Sequence, residues 1–154
     1  MPVEKPMNVQ LSFAAPAQLE TELLAVLAVD NQAAKGPDAK PAPQLLTSDA
    51  AVASAAAGVL ASGEFKAGAN ETLLLHAPAG LKACRLMLVG LGKQAKATAH
   101  SVRTAAGTAL RACKPRGLRE LTLLLPEGLD APLHAMARAS VEGAVVGNFD
   151  SDTY

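Results

Sequence analysis

Residues 23–29 form an unbroken aliphatic run, Leu-Leu-Ala-Val-Leu-Ala-Val, with no polar position in it. A half-exposed strand would alternate, so this run predicts a strand covered on both faces. Ahead of it, Val9, Leu11 and Phe13 alternate with Gln10 and Ser12, the two-residue period of a half-exposed edge strand. Residues 33–43 are rich in Ala, Lys and Pro and have no period; they read as the core of a mobile loop spanning about 31–46. Thr47, Ser48 and Asp49 are all good helix caps. After them Val52, Ala55, Ala56, Val59 and Leu60 recur at helical spacing, until Ser62-Gly63 closes the helix.

Residues 72–76 and 83–89 predict two further strands, set to form a hairpin across the turn at Pro78-Ala79-Gly80. Thr98 then caps a second helix with the apolar stripe Val102, Ala105, Ala106, Ala109, Leu110 and Cys113. Arg111 and Lys114 suit its C-terminal dipole, and Pro115 stops it. Residues 121–125 predict another buried strand. Asp130 caps a third helix with the face Leu133, Met136, Ala137, Val141, Ala144 and Val145, and Gly147 is its stop. Strands alternate with helices at crossover lengths. The predicted fold is therefore α/β, three layers α/β/α around a mixed central sheet. One domain over 1–148 is expected, with 149–154 leaving it.

Composition narrows the picture. Half the residues are hydrophobic but only 3% are aromatic, so the core must be built from Ala, Leu and Val. Fourteen basic and fourteen acidic residues leave a formal net charge of zero, which argues against a strong nonspecific field for nucleic acid or membrane. No apolar run approaches the roughly 20 residues of a membrane span, and residues 1–5 lack a signal-peptide pattern, so a cytoplasmic location is expected. Cys84 and Cys113 both sit in apolar patterns and read as buried free thiols of a reducing compartment.

Candidate chemistry is sparse. His76, His100 and His134 stand apart, and none has a second ligand at helical spacing, so no metal site is predicted. No serine lies in a nucleophile elbow, and both cysteines read as core, so no catalytic residue is predicted. The sharpest feature is Leu86-Met87-Leu88-Val89-Gly90-Leu91-Gly92-Lys93, an apolar strand stopping at two glycines and a lysine. Gly90, Gly92 and Lys93 are weak candidates for binding a nucleotide cofactor. Residues 90–95 formally fit G-x-G-x-x-G/A, and Glu127, past the next strand, stands where a ribose-binding acid is needed. Against this, the helix begins only near Thr98, and the fingerprint normally opens its fold rather than closing it. The plainer reading is a backbone turn in which glycine accepts positive φ and Lys93 faces solvent. Arg103, Arg111, Lys114, Arg116 and Arg119 cluster around the second helix and its exit with few aromatics, so nucleic acid is a minor alternative.

Three segments together resemble one family. Phe65-Lys66-Ala67-Gly68 leads through Glu71-Thr72-Leu73-Leu74-Leu75 to Arg85-Leu86-Met87-Leu88-Val89-Gly90-Leu91-Gly92-Lys93, and Val141-Glu142-Gly143-Ala144-Val145-Val146-Gly147-Asn148-Phe149-Asp150 follows near the end. This succession is similar to the N-terminal domain of the leucyl (cytosol) aminopeptidases, over about residues 9–154. The resemblance implies a macro-domain-like module preceding a catalytic domain with two divalent metals, zinc or manganese. The implied parent is a homo-hexameric enzyme that removes N-terminal residues from peptides. The family's acidic metal cluster and its catalytic lysine and arginine have no positions here to map onto. The resemblance thus implies a chain without catalytic residues, metal ligands or cofactor of its own, serving oligomer assembly and support of the missing C-terminal catalytic domain. The positions of interest are then the turn at Gly92-Lys93 and the exit segment 148–154. The macro-like fold also raises a free-standing module for ADP-ribose or a nucleotide, because Asp30-Asn31-Gln32-Ala33-Ala34 partly echoes an Asn-rich segment. A DNA-binding accessory domain is the third reading.

Overall fold

β1 (Leu23–Asp30) is the axis of the molecule, and its seven aliphatic residues are all buried. The computed structural model describes residues 7–31 and 40–150, with no side-chain detail for 149–150. β4 (Arg85–Lys93) pairs with β1 in parallel along one edge. β3 (Thr72–His76) adds to β4 antiparallel, from Thr72 opposite Val89 to His76 opposite Arg85, which is the predicted hairpin. The other edge of β1 is shared by two short strands. β5 (Leu121–Leu123) runs parallel beside Leu23–Ala25, and β2 (Pro43–Leu45) runs antiparallel beside Ala28–Asp30.

Alternation along β1 divides the core in two. Leu23, Ala25, Leu27 and Val29 meet Val102, Ala105, Ala109 and Cys113 of α2 (Ala99–Cys113). Leu24, Val26 and Ala28 meet Val52 and Ala56 of α1 (Ala50–Ser62), together with Phe65. Helices therefore cover both faces of a mixed sheet, as the unbroken aliphatic run requires. Asp49 caps α1, its carboxylate accepting from Val52 N at 3.0 Å. α2 begins after Thr98, whose N–H donates to Ser101 Oγ at 3.1 Å. Both predicted helix faces are the ones buried.

The third helix differs from its expected form. α3 (Leu133–Asp150) packs chiefly against α2. Its buried residues are Met136, Ala139, Ser140, Gly143 and Gly147, whereas Leu133, Val141 and Val145 point away. The physical reason is close approach: a Cβ on Gly143 would lie 1.9 Å from Arg103 O, and one on Gly147 would lie 2.8 Å from Gly107 O. Two helix backbones in contact admit only small residues between them. Gly147 is thus part of the contact, not a stop, and the helix runs past it. Nor does Asp130 cap it; the first turn closes on Pro132 O, which accepts from Ala135 N and Met136 N.

Three further expectations are corrected. Residues 9–13 join no strand, and Val9, Leu11 and Phe13 are exposed, because their alternation finds no surface to bury against. The expected loop about 31–46 contains β2, and Asp30 Oδ1 accepts from Ala42 N at 2.8 Å to bring the chain back; residues 32–39 lie outside the described residues. β5 ends at Leu123 and is half-buried, since it has β1 on one side only.

Cys84 is exposed just before β4, while Cys113 is buried with its Sγ donating to Ala109 O at 3.4 Å. Burial pushes the Cys113 thiol from 9.0 up to about 11. A disulfide reagent at pH 8 is therefore expected to titrate one thiol per folded chain and the second only after denaturation. Two fast thiols would contradict the burial of Cys113. The linkage has a sign: the folded thiol holds its proton more tightly, so this contribution is full below pH 9 and is lost as pH rises towards 11.

Candidate functional site

The glycine segment lies within β4, which continues through Lys93. Ala28 pairs with Gly90 but Asp30 pairs with Lys93, so one extra residue bulges near Gly92, where φ is +87°. A short 3-10 turn, Gln94–Lys96, separates this bulge from α2. The glycines consequently lie well before the first turn of the helix, and no strand–glycine–helix junction of the dinucleotide kind forms. Lys93 is exposed.

The side of Gly90 that lacks a Cβ is filled by the chain itself. A Cβ there would lie 2.1 Å from Gly68 O and 2.6 Å from Ala67 C. Three backbone hydrogen bonds fasten residues 67–71 over it: Asn70 N to Gly90 O at 2.8 Å, Gly90 N to Glu71 O at 2.8 Å, and Gly92 N to Ala67 O at 3.0 Å. Glu71 shapes this loop. Its carboxylate accepts from Lys66 N at 3.0 Å and Gly68 N at 3.1 Å, drawing the turn closed. Fully buried Phe65 anchors the loop to the sheet, and Asn70 Oδ1 accepts from Thr108 Oγ1 of α2 at 3.2 Å. Gly90 and Gly92 are thus the seat of an internal loop. Residues 65–71 read from the sequence as a Gly-containing turn before β3, and Gly68 and Glu71 are the residues that close it; its seating over Gly90 is what the structure adds.

The other nominated groups do not converge on this seat. Glu127 holds the entry to α1, accepting from Ser48 N and Ser48 Oγ. Asn31 donates through Nδ2 to Gln44 Oε1 at 2.9 Å, and the residues after it that echo an Asn-rich segment are outside the described residues. His76, His100 and His134 are exposed on three different elements. Among the described residues no group of three or more His, Cys, Asp or Glu is placed to hold a metal ion. The described residues therefore offer no divalent centre.

A shallow groove between α2 and α3 is lined by His100, Arg103, Arg138, Glu142 and three alanines. Glu142 is shared by two cations, with Arg138 Nε at 3.0 Å and Arg103 Nε at 3.7 Å. These half-exposed pairs contribute little to stability. The groove offers no nucleophile with an adjacent base. Of the exit segment, the described part is helical, and 151–154 lie outside the described residues. No helix among the described residues is long and apolar enough to cross a membrane.

Comparison with known proteins supplies what the geometry lacks. The profile of the N-terminal domain of the cytosol aminopeptidase family matches residues 26–154. A probable cytosol aminopeptidase of Acidobacterium capsulatum is 54% identical over 142 residues, covering 90% of this chain and 28% of that protein. One from Koribacter versatilis is 38% identical over 163 residues, covering 96% of this chain and 31% of that protein. Among solved structures, the bottromycin maturation enzyme BotP in complex with Mn superposes with a TM-score of 0.58 at 27% identity, over 87% of this chain and 24% of that one. The chain spans less than a third of the length of these relatives.

Proposed function

Because the chain belongs to the cytosol aminopeptidase family, as its N-terminal domain, we propose that it serves a metal-dependent aminopeptidase as a non-catalytic platform. Its tasks are oligomer assembly, as part of a hexamer, and support of a C-terminal catalytic domain that removes N-terminal residues from peptides in the cytoplasm. The observation that carries this reading is the match to an N-terminal domain over 26–154 by a chain spanning 28% of a 54%-identical relative. In support, the glycine seat that could have taken a nucleotide is filled by residues 67–71. The zinc or manganese pair belongs, on this reading, to the catalytic domain.

The test is a deletion. A longer polypeptide in which a catalytic domain follows this chain is compared with the same polypeptide lacking residues 1–150. The truncated form is expected to lose its defined oligomer on sizing and at least tenfold in peptidase activity. A truncated enzyme that assembles and cleaves like the intact one would remove the assembly and support role.

A further inference from the structure

α3 carries two apolar surfaces, and only one is used. Its packed surface consists of small residues, Ala139, Ser140, Gly143 and Gly147, with Met136, and it is consumed by α2. At 100° per residue, Leu133, Ala137, Val141 and Val145 form a second stripe beside it, i to i+4, about 18 Å long at 1.5 Å per residue. Leu133 is 60% exposed, Val141 39% and Val145 49%. Partly buried Ala144 joins this stripe to the packed surface. On its far side the stripe is bordered by Arg138 and Glu142, which pair with each other at 3.0 Å. An aliphatic stripe with a charged border is the composition of a surface buried by a partner, with the polar rim left wet.

We propose that the Leu133–Ala137–Val141–Val145 stripe is the docking surface for the catalytic domain. This inference rests on the platform reading above and names the surface through which support is given. The occupant follows from chain length and order. The matching profile is that of an N-terminal domain, and some 70% of the relatives' length lies outside the matched part. α3 is the last described element, so in such a protein the catalytic domain is tethered to the end of this helix. Tethering raises its effective concentration at the stripe to the millimolar range, and an interface of modest area then suffices. Held there, α3 ties the catalytic domain to the sheet through α2.

The test is cysteine accessibility in a Cys84→Ser background. Val141→Cys and Val145→Cys are made both in the 154-residue chain and in the longer polypeptide, with Arg138→Cys as a control on the border, and circular dichroism checks that each folds. Maleimide labelling at 141 and 145 is expected to be at least tenfold slower in the longer polypeptide, with the control changed less than threefold. Equal rates in both would overturn the docking surface while leaving the platform role to the deletion experiment. Slow labelling already in the 154-residue chain that speeds up on dilution would overturn it in favour of a second copy. A gene that encodes no catalytic domain after Tyr154 would overturn the platform reading itself, and this inference with it.

Discussion

Gly90→Ala is expected to destabilise the domain by about 3 kcal/mol or more and to lower its unfolding midpoint by roughly 10 °C. The obstacle is backbone: the new Cβ would stand 2.1 Å from Gly68 O and 2.6 Å from Ala67 C, which no rotamer change relieves. Residues 67–71 would have to lift from β4, weakening the bonds from Asn70 N, Gly92 N and Gly90 N that fasten them. Each is worth about 1 kcal/mol net, and more where a buried group is left unpaired. Gly80→Ala is the control. Its φ is +81° but nothing lies within 4 Å of the added Cβ, so only the left-handed conformation is penalised, by about 1 kcal/mol. Thermal unfolding of the two variants checks the difference. Equal, small losses would show that Gly90 serves chain conformation and not close approach.

Gly143→Ala is expected to lower stability by about 2–3 kcal/mol, although alanine is the better helix former by about 1 kcal/mol. The reason is the α2–α3 contact, where the added Cβ falls 1.9 Å from Arg103 O and 2.7 Å from Arg103 C. The helices would have to part, and α3 has little else to hold it. Gly58→Ala, in α1 with nothing within 4 Å, is expected to move the other way and add about 0.5–1 kcal/mol. Opposite signs for one chemical change on two helices is the outcome to look for in denaturant titrations. A stabilised Gly143→Ala would mean that the helices are not in backbone contact.

The parts legible in the sequence are those where a face carries at least one branched aliphatic residue at a fixed period. The aliphatic run of β1, the Val52–Ala56 face of α1 and the Val102–Ala109 face of α2 are readable because valine or leucine marks the buried side and alanine continues it. α3 inverts that rule. Its contact is made by glycine, alanine and serine, so reading by bulk picks the outward stripe as the core face. The Gly90–Gly92 segment was readable as a place needing glycine but not for which reason, because close approach and positive φ leave the same trace in one sequence. Here Gly90 answers to the first and Gly92 to the second. Residues 9–13 show the limit of alternation, which specifies a strand only when an edge is there to receive it. β2 was hidden because three residues beginning with Pro43 carry no period at all. Of the candidate site, Lys93 faces solvent as the turn reading expects, while the seating of residues 67–71 on Gly90 and Gly92 depends on backbone bonds that leave no mark on side-chain pattern.

A platform whose chemistry is supplied by another domain should be inert alone, and the decisive assay is hydrolysis of leucine p-nitroanilide by the purified 154-residue chain with added manganese or zinc. Release of nitroaniline at the buffer rate, from a protein that circular dichroism shows to be folded, is the predicted result. Metal-dependent release that co-elutes with the chain through two chromatographic steps would contradict it.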